Sequence, residues 1–203
     1  MFPILGHAQG RGESRQGAGV LVLLLVGGSF GCLWGQEGKR LGDGKLVWMT
    51  ENLKAPGAGS YCYGDVVANC ERYGRLYTWE AAGRACRARG DGWRLPTDEE
   101  WRALSKRYGG VSADSGDRGR AAYVALIAGG TAGFEGVLGG GRDVGGEYAR
   151  GEAHGFYWTA TEDGRETAVY YNFGRGGPGL HRQTGGEKAR AFSVRCVRDQ
   201  GLQ

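Results

Sequence analysis

The sequence predicts an α+β domain, with two early helices packed on a small antiparallel sheet and long glycine-rich loops between them. Three observations predict it. Both strong helical signals, Trp79–Arg89 and the segment opening at Thr97, precede residue 109. Three strand-like runs divided by glycine-rich turns follow residue 155. Glycine supplies 42 of the 203 residues, and each glycine inside a helix costs roughly 1 kcal/mol, so loops and strands should dominate. Six Trp, ten Tyr and six Phe supply enough apolar surface for a core and argue against disorder. The 26 basic and 22 acidic residues leave a net charge of +4 with no basic block, so no nucleic-acid partner is indicated.

The chain opens on Arg11 and Arg15, an apolar run from Val20 to Val26, and a small-residue exit, Gly27-Gly28-Ser29-Phe30-Gly31-Cys32. This order is that of an export signal over residues 1–35, with the folded domain over 36–203. The apolar run is shorter than the roughly 20 residues of a spanning helix. Ser29-Phe30-Gly31-Cys32 is also similar to a lipoprotein cleavage box, which implies a lipid on Cys32 and attachment to the outer membrane. Setting Cys32 aside leaves Cys62, Cys70, Cys86 and Cys196, an even set with three pairings that suits an oxidising compartment. The preferred pairing is Cys62 with Cys70 and Cys86 with Cys196, the long bridge contributing roughly 4 to 5 kcal/mol in the loop-entropy model. No Cys or His spacing suits zinc, and no metal or cofactor is expected.

In chain order, Lys45–Met49 is a strand after the Gly42-Asp43-Gly44 turn, and Tyr73–Tyr77 is another, leading to Thr78 as a helix cap. Trp79–Arg89 puts Ala81, Ala82, Ala85 and Cys86 on one face, and Gly90 ends the helix. Trp93-Arg94-Leu95-Pro96 is extended, because the residue before a proline avoids the helical region. Thr97-Asp98-Glu99-Glu100 reads as a capping box, and Trp101, Leu104 and Tyr108 form the buried stripe of the helix it starts. Residues 109–151 read as a helix fragment near Tyr123–Ala128 followed by loops. Phe156–Ala160, Thr167–Phe173 and Ala191–Val197 are the three late strands.

Five motifs in this order resemble one known family: Val47-Trp48-Met49-Thr50-Glu51-Asn52-Leu53, Tyr73-Gly74-Arg75-Leu76-Tyr77-Thr78-Trp79, Gly92–Trp101, Gly155–Glu162 and Phe192-Ser193-Val194-Arg195-Cys196-Val197. The family is the Fibrobacter succinogenes major paralogous domain, and the likeness covers about Gly42 to Asp199. Its glycine-rich middle is matched by Gly129–Phe134 and Gly139–Asp143. The resemblance implies a C-type lectin-like fold in a secreted or surface bacterial protein, often a lipoprotein. Some relatives resemble variable proteins diversified by retroelements, in which a segment just before the last strand forms an exposed binding surface.

Transferred to this chain, that segment is 162–190. Ala168, Val169 and Phe173 are its expected framework, and Tyr171, Asn172, Arg175, His181, Arg182 and Gln183 its expected exposed positions. Glu162, Asp163 and Arg165 complete the candidate ligand set. Tyrosine gives contact area at low entropy cost while polar side chains adapt their hydrogen bonds, so this composition suits recognition of a protein or glycan. The opposing reading has Tyr170 and Tyr171 alternating across a strand, one inside and one solvated. Asp114 and Asp117 lack the remaining oxygen ligands of a cation loop. His154 and His181 near Ser193 or Cys196 would be the only nucleophile arrangement, and both candidates sit in a core motif. The sequence therefore points to a binding protein rather than an enzyme, with a structural or adhesive envelope component as the alternative.

Overall fold

The computed structural model describes residues 38–201; the expected export signal and Cys32 lie outside them. Strands β1 (Gly38–Leu41) and β2 (Leu46–Met49) form a hairpin. Its turn places Gly42 and Gly44 at positive φ, the left-handed region that glycine enters without cost. After β3 (Ser60–Tyr61), helix α1 (Val67–Tyr73), β4 (Leu76–Tyr77) and α2 (Trp79–Arg87) comes α3 (Asp98–Lys106). Then follow α4 (Arg120–Leu126), β5 (Gly141–Arg142), β6 (Tyr148–Ala149), β7 (His154–Glu162), β8 (Thr167–Gly174), β9 (Gly179–Glu187) and β10 (Val197–Asp199). The strands make four small antiparallel sheets, ordered β1-β2-β10, β3-β4, β5-β6 and β7-β8-β9. The described residues are thus mixed α/β, and no helix among them is long and apolar enough to cross a membrane.

Local chemistry explains α3 most fully. Thr97 Oγ1 accepts from the Glu100 N–H at 3.3 Å and Glu100 Oε2 accepts from the Thr97 N–H at 2.8 Å, closing the capping box. Trp101 and Leu104 are buried, while Tyr108 packs half-buried beyond the helix end. Helix α2 follows Thr78, whose side chain makes no cap bond, and buries Ala81, Ala82 and Cys86. Asp117 caps α4 instead of joining Asp114 around an ion: it accepts from the Ala121 and Gly119 N–H groups at 2.8 and 3.0 Å. These backbone bonds, Ala121 first, hold its carboxyl below its ordinary pKa.

Several elements differ from the sequence reading, and the short strands β1, β3, β5 and β6 fall where no strand was expected. Helix α1 begins inside the Cys62–Cys70 loop, where no periodic run marked it, and continues past Cys70 to Tyr73, so the expected 73–77 strand is reduced to β4 after the Gly74 helix stop. Strand β9 pairs along β8 despite its polar, glycine-bearing sequence, because its ladder partner supplies the order that its own residues do not. Only the end of the expected 191–197 strand is laddered, as β10 beside β2. The rest threads between elements: Phe192 bridges Tyr77, Ser193 bridges Tyr157, and the Val194 and Cys196 carbonyls accept from Leu53 and Met49.

Two apolar clusters fill the interior. One gathers Trp48, Trp101, Phe134, Tyr157, Tyr171 and Phe173, with Trp48 edge-on to Trp101 at 5.2 Å and Tyr171 stacked on Trp101 at 4.8 Å. Such ring pairs contribute about 0.5–1.5 kcal/mol beyond burial. The other gathers Met49, Tyr77, Ala82, Trp158 and Phe192 around the Cys86–Cys196 disulfide. Between them Arg195, only 1% exposed, donates to Asn52 Oδ1 at 2.7 Å and to the carbonyls of Met49, Phe134 and Glu135. Four acceptors on two segments, 49–52 and 134–135, let the interior hold a guanidinium that is otherwise costly to bury, although burial still lowers its pKa.

Candidate functional site

Successive side chains of a strand point to opposite faces, so the register of β7, β8 and β9 sorts this sheet into two faces. Tyr157 pairs with Tyr171 and Tyr171 with Arg182, and this set turns inward with Val169, Phe173 and Leu180. Phe156 pairs with Asn172 and Asn172 with His181, while Tyr170 pairs with Gln183. That second set, half-buried, forms the outward face, where Phe156 and Tyr170 pack on the second apolar cluster beside Trp158, which pairs with Tyr170 and is fully buried.

The register corrects the expectation for Tyr171. Its ring is 0% exposed, stacks on Trp101, and its hydroxyl donates to Asp98 Oδ1 at 3.0 Å. Burial, and then the Asp98 charge, push its pKa up. Tyr171 is therefore a core residue, and its neighbour Tyr170 occupies the outward position. Arg182 also leaves the exposed set. Its Nε lies 2.8 Å from both Asp98 carboxylate oxygens and its side chain is 25% exposed. That bond to Asp98 raises the guanidinium pKa further.

The remaining expected residues fall in three places. Asn172, His181 and Gln183 share the outward face. Glu162, Asp163 and Arg165 are exposed at the β7–β8 turn, with Glu162 accepting from Lys188 Nζ at 2.6 Å. Arg175 is exposed at the opposite end, in the β8–β9 turn. Ala168, Val169 and Phe173 are buried. The nine candidates thus do not converge on one point: three share a face, four occupy the two turns, and Tyr171 and Arg182 fasten the sheet from within.

The outward face carries an aromatic floor that the sequence reading missed. Phe156 stacks on His154 at 5.5 Å and contacts Phe192 at 5.0 Å, and Tyr170 lies 4.9 Å from Phe192. His154 Nδ1 is 2.9 Å from Asn172 Oδ1. Burial, and then the proximity of His154, lower the pKa of His181. Burial raises that of Tyr170, whose hydroxyl has no hydrogen-bond partner among the described residues.

Beside this floor lies a groove of about 290 Å³, lined by Phe156, Tyr170 and Phe192 together with Arg142, Arg150 and Arg190. Gly141 permits the close approach: a Cβ there would press on the Phe192 and Phe156 rings at 3.0 and 3.2 Å. Arg142 sits 4.2 Å over the Tyr61 ring and 5.7 Å from that of Tyr148. The Tyr148 hydroxyl is itself bound to Asp65 at 2.6 Å, and its pKa is pushed up to about 12, first by burial and then by Asp65. Strand alternation could have assigned Phe156 and Tyr170 to this face. Arg142 stood in the Gly139–Asp143 segment of the family likeness, but nothing local marked it as lining a groove.

Cys196 is bonded to Cys86, and no group of three or more His, Cys, Asp or Glu among the described residues could hold a metal ion. A family model described as the Fibrobacter succinogenes major domain matches residues 43–198. No curated protein and no solved structure matches the chain.

Proposed function

The chain belongs to the Fibrobacter succinogenes major domain family, and on that premise we propose a protein that recognises a protein or glycan through the outward face of β7, β8 and β9, without catalysis. One observation carries the reading. The outward face joins an aromatic floor to polar groups that have no internal use, including the Tyr170 hydroxyl and the Gln183 amide, both without hydrogen-bond partners among the described residues. Recognition needs contact area together with open hydrogen-bonding capacity, and a purely structural sheet face has no reason to keep both.

The same proposal gives the protein a C-type lectin-like architecture, supported by the β2–β10 pairing and by the disulfide from α2 to the residue before β10. It also has the protein exported and surface-attached, the two disulfides favouring an oxidising compartment. A lipid on Cys32 would supply the attachment. Diversification by a retroelement would act on the outward positions Asn172, His181 and Gln183, leaving Tyr171 and Arg182 constant.

The test is retention of glycans and envelope proteins by the immobilised full chain. Tyr170→Ala and Gln183→Ala should lose the retained ligand, whereas Lys106→Ala, at the end of α3, should keep it. Retention unaffected by the outward variants, or no retention at all, would favour a structural or adhesive envelope component.

A further inference from the structure

Charge and shape narrow the ligand class of the groove, an inference that rests on the reading just given. Arg142, Arg150 and Arg190 line it against only two carboxylates, Asp143 and Glu147. Asp143 is engaged in its own turn, where Oδ1 accepts from the Glu147 N–H at 2.8 Å. Arg190 pairs with Glu187 at 2.9 Å, as Arg94 does with Glu100 and Arg182 with Asp98. Arg142 pairs with no carboxylate among the described residues, and its Nε is buried without an acceptor. The rings of Tyr61 and Tyr148 hold the guanidinium in place, so an incoming anion meets a charge already oriented.

Size and floor add to this. At about 290 Å³ the groove is at the small end of ligand pockets and suits one or two rings rather than a helix or a strand. Aromatic faces carry partial negative charge and favour the C–H face of a sugar ring. The free Tyr170 hydroxyl is available to a sugar hydroxyl. An acidic peptide side chain would bring a carboxylate on a flexible stem, with no flat C–H face for Phe156 and Tyr170. A uronic-acid ring brings both on one rigid unit.

We propose that the groove binds an acidic sugar, its ring against Phe156 and Tyr170 and its carboxylate on Arg142. The probes are short oligogalacturonates and their fully methyl-esterified forms, which keep the rings and remove the charge, measured by calorimetry on the full chain. The acid form should bind, the ester at least about tenfold more weakly, and rising salt should weaken the acid form. Arg142→Gln should lower acid-form affinity about tenfold and bring the two probes together. Tyr170→Phe, which removes only a hydroxyl, should lower affinity for both probes by a similar, smaller factor. Thermal melts verify that each variant is folded. An ester that binds as well as the acid, a folded Arg142→Gln variant with parental affinity, equal binding of oligoglutamate, or binding of neither probe would each overturn the proposal. Any of these results, with retention in the wider screen still lost on Tyr170→Ala, removes the acidic sugar and leaves the binding face. Retention indifferent to that variant removes the face as well.

Discussion

Arg182, the fourth of nine residues in the polar strand β9, places its Nε 2.8 Å from each carboxylate oxygen of Asp98, the first residue of α3. The pair, with the Tyr171 hydroxyl beside it, fastens the last long strand to the first turn of a helix 84 residues earlier. Asp98 is buried while Arg182 keeps some contact with water, so removing one partner costs less than in a fully dry pair. Asp98→Asn or Arg182→Met should lower stability by about 2–3 kcal/mol. Thermal unfolding reads this as a melting-temperature drop of roughly 5–10 °C in a chain of this size. A parental melting temperature for both variants would show that the contact fastens nothing.

Tyr170 and Tyr171 should separate sharply on substitution. Tyr171→Ala opens a cavity against Trp101 and strands Asp98, and should cost about 3–5 kcal/mol. Tyr170→Ala trims a half-buried ring on Phe192 and should cost about 1 kcal/mol. Denaturant unfolding of the two variants checks the face assignment. Equal losses would mean that the register of β8 is wrong.

His181 should make the fold sensitive to mild acid. Its folded-state pKa lies below the ordinary 6.5, by burial first and then by the nearby His154. Protonation is therefore harder in the folded chain than in the unfolded one. Its contribution to stability is full above that ordinary value and is lost as pH falls through the lowered one. Urea unfolding at about pH 7.5 and about pH 5 should show the decline, and His181→Gln should reduce it. A histidine NMR titration midpoint above the ordinary value would contradict the assignment.

The two disulfides should differ in how readily they are reduced. Arg75 places Nη1 3.5 Å from Cys62 Sγ and 3.3 Å from Cys70 Sγ, a positive charge that would stabilise the leaving thiolate. Cys86 and Cys196 have no exposure, and Cys62 retains some. Limiting dithiothreitol should therefore open Cys62–Cys70 first. Arg75→Gln should make that bond harder to reduce, by roughly 30 mV for each 1.4 kcal/mol of lost thiolate stabilisation. Alkylation mapped by mass spectrometry reads both results. Simultaneous opening of the two bonds would count against them.

What was legible in the sequence was what neighbours along the chain decide. The capping box from Thr97 to Glu100 spans four residues and closes as written. The even cysteine set and the very different separations of its members suggested the bonds that form. Strand β8 was visible as an apolar run, but the inward residue of the Tyr170–Tyr171 pair depends on cross-strand register and on where Trp101 lies. Arg195 stood inside a recognisable motif, yet its role required Asn52 and the 134–135 backbone to arrive from elsewhere. The groove draws on residues 141–150, 156, 170 and 190–192 at once, so no window of sequence contained its pattern.

The Cys86–Cys196 bond spans 110 residues of chain and encloses the exposed Arg175-Gly176-Gly177-Pro178 turn. A protease cutting at that turn would sever the backbone without releasing either piece. The nicked molecule would hold together until a reductant was added, with β8 and β9 still side by side, so cleavage there would leave the outward face of the sheet in place.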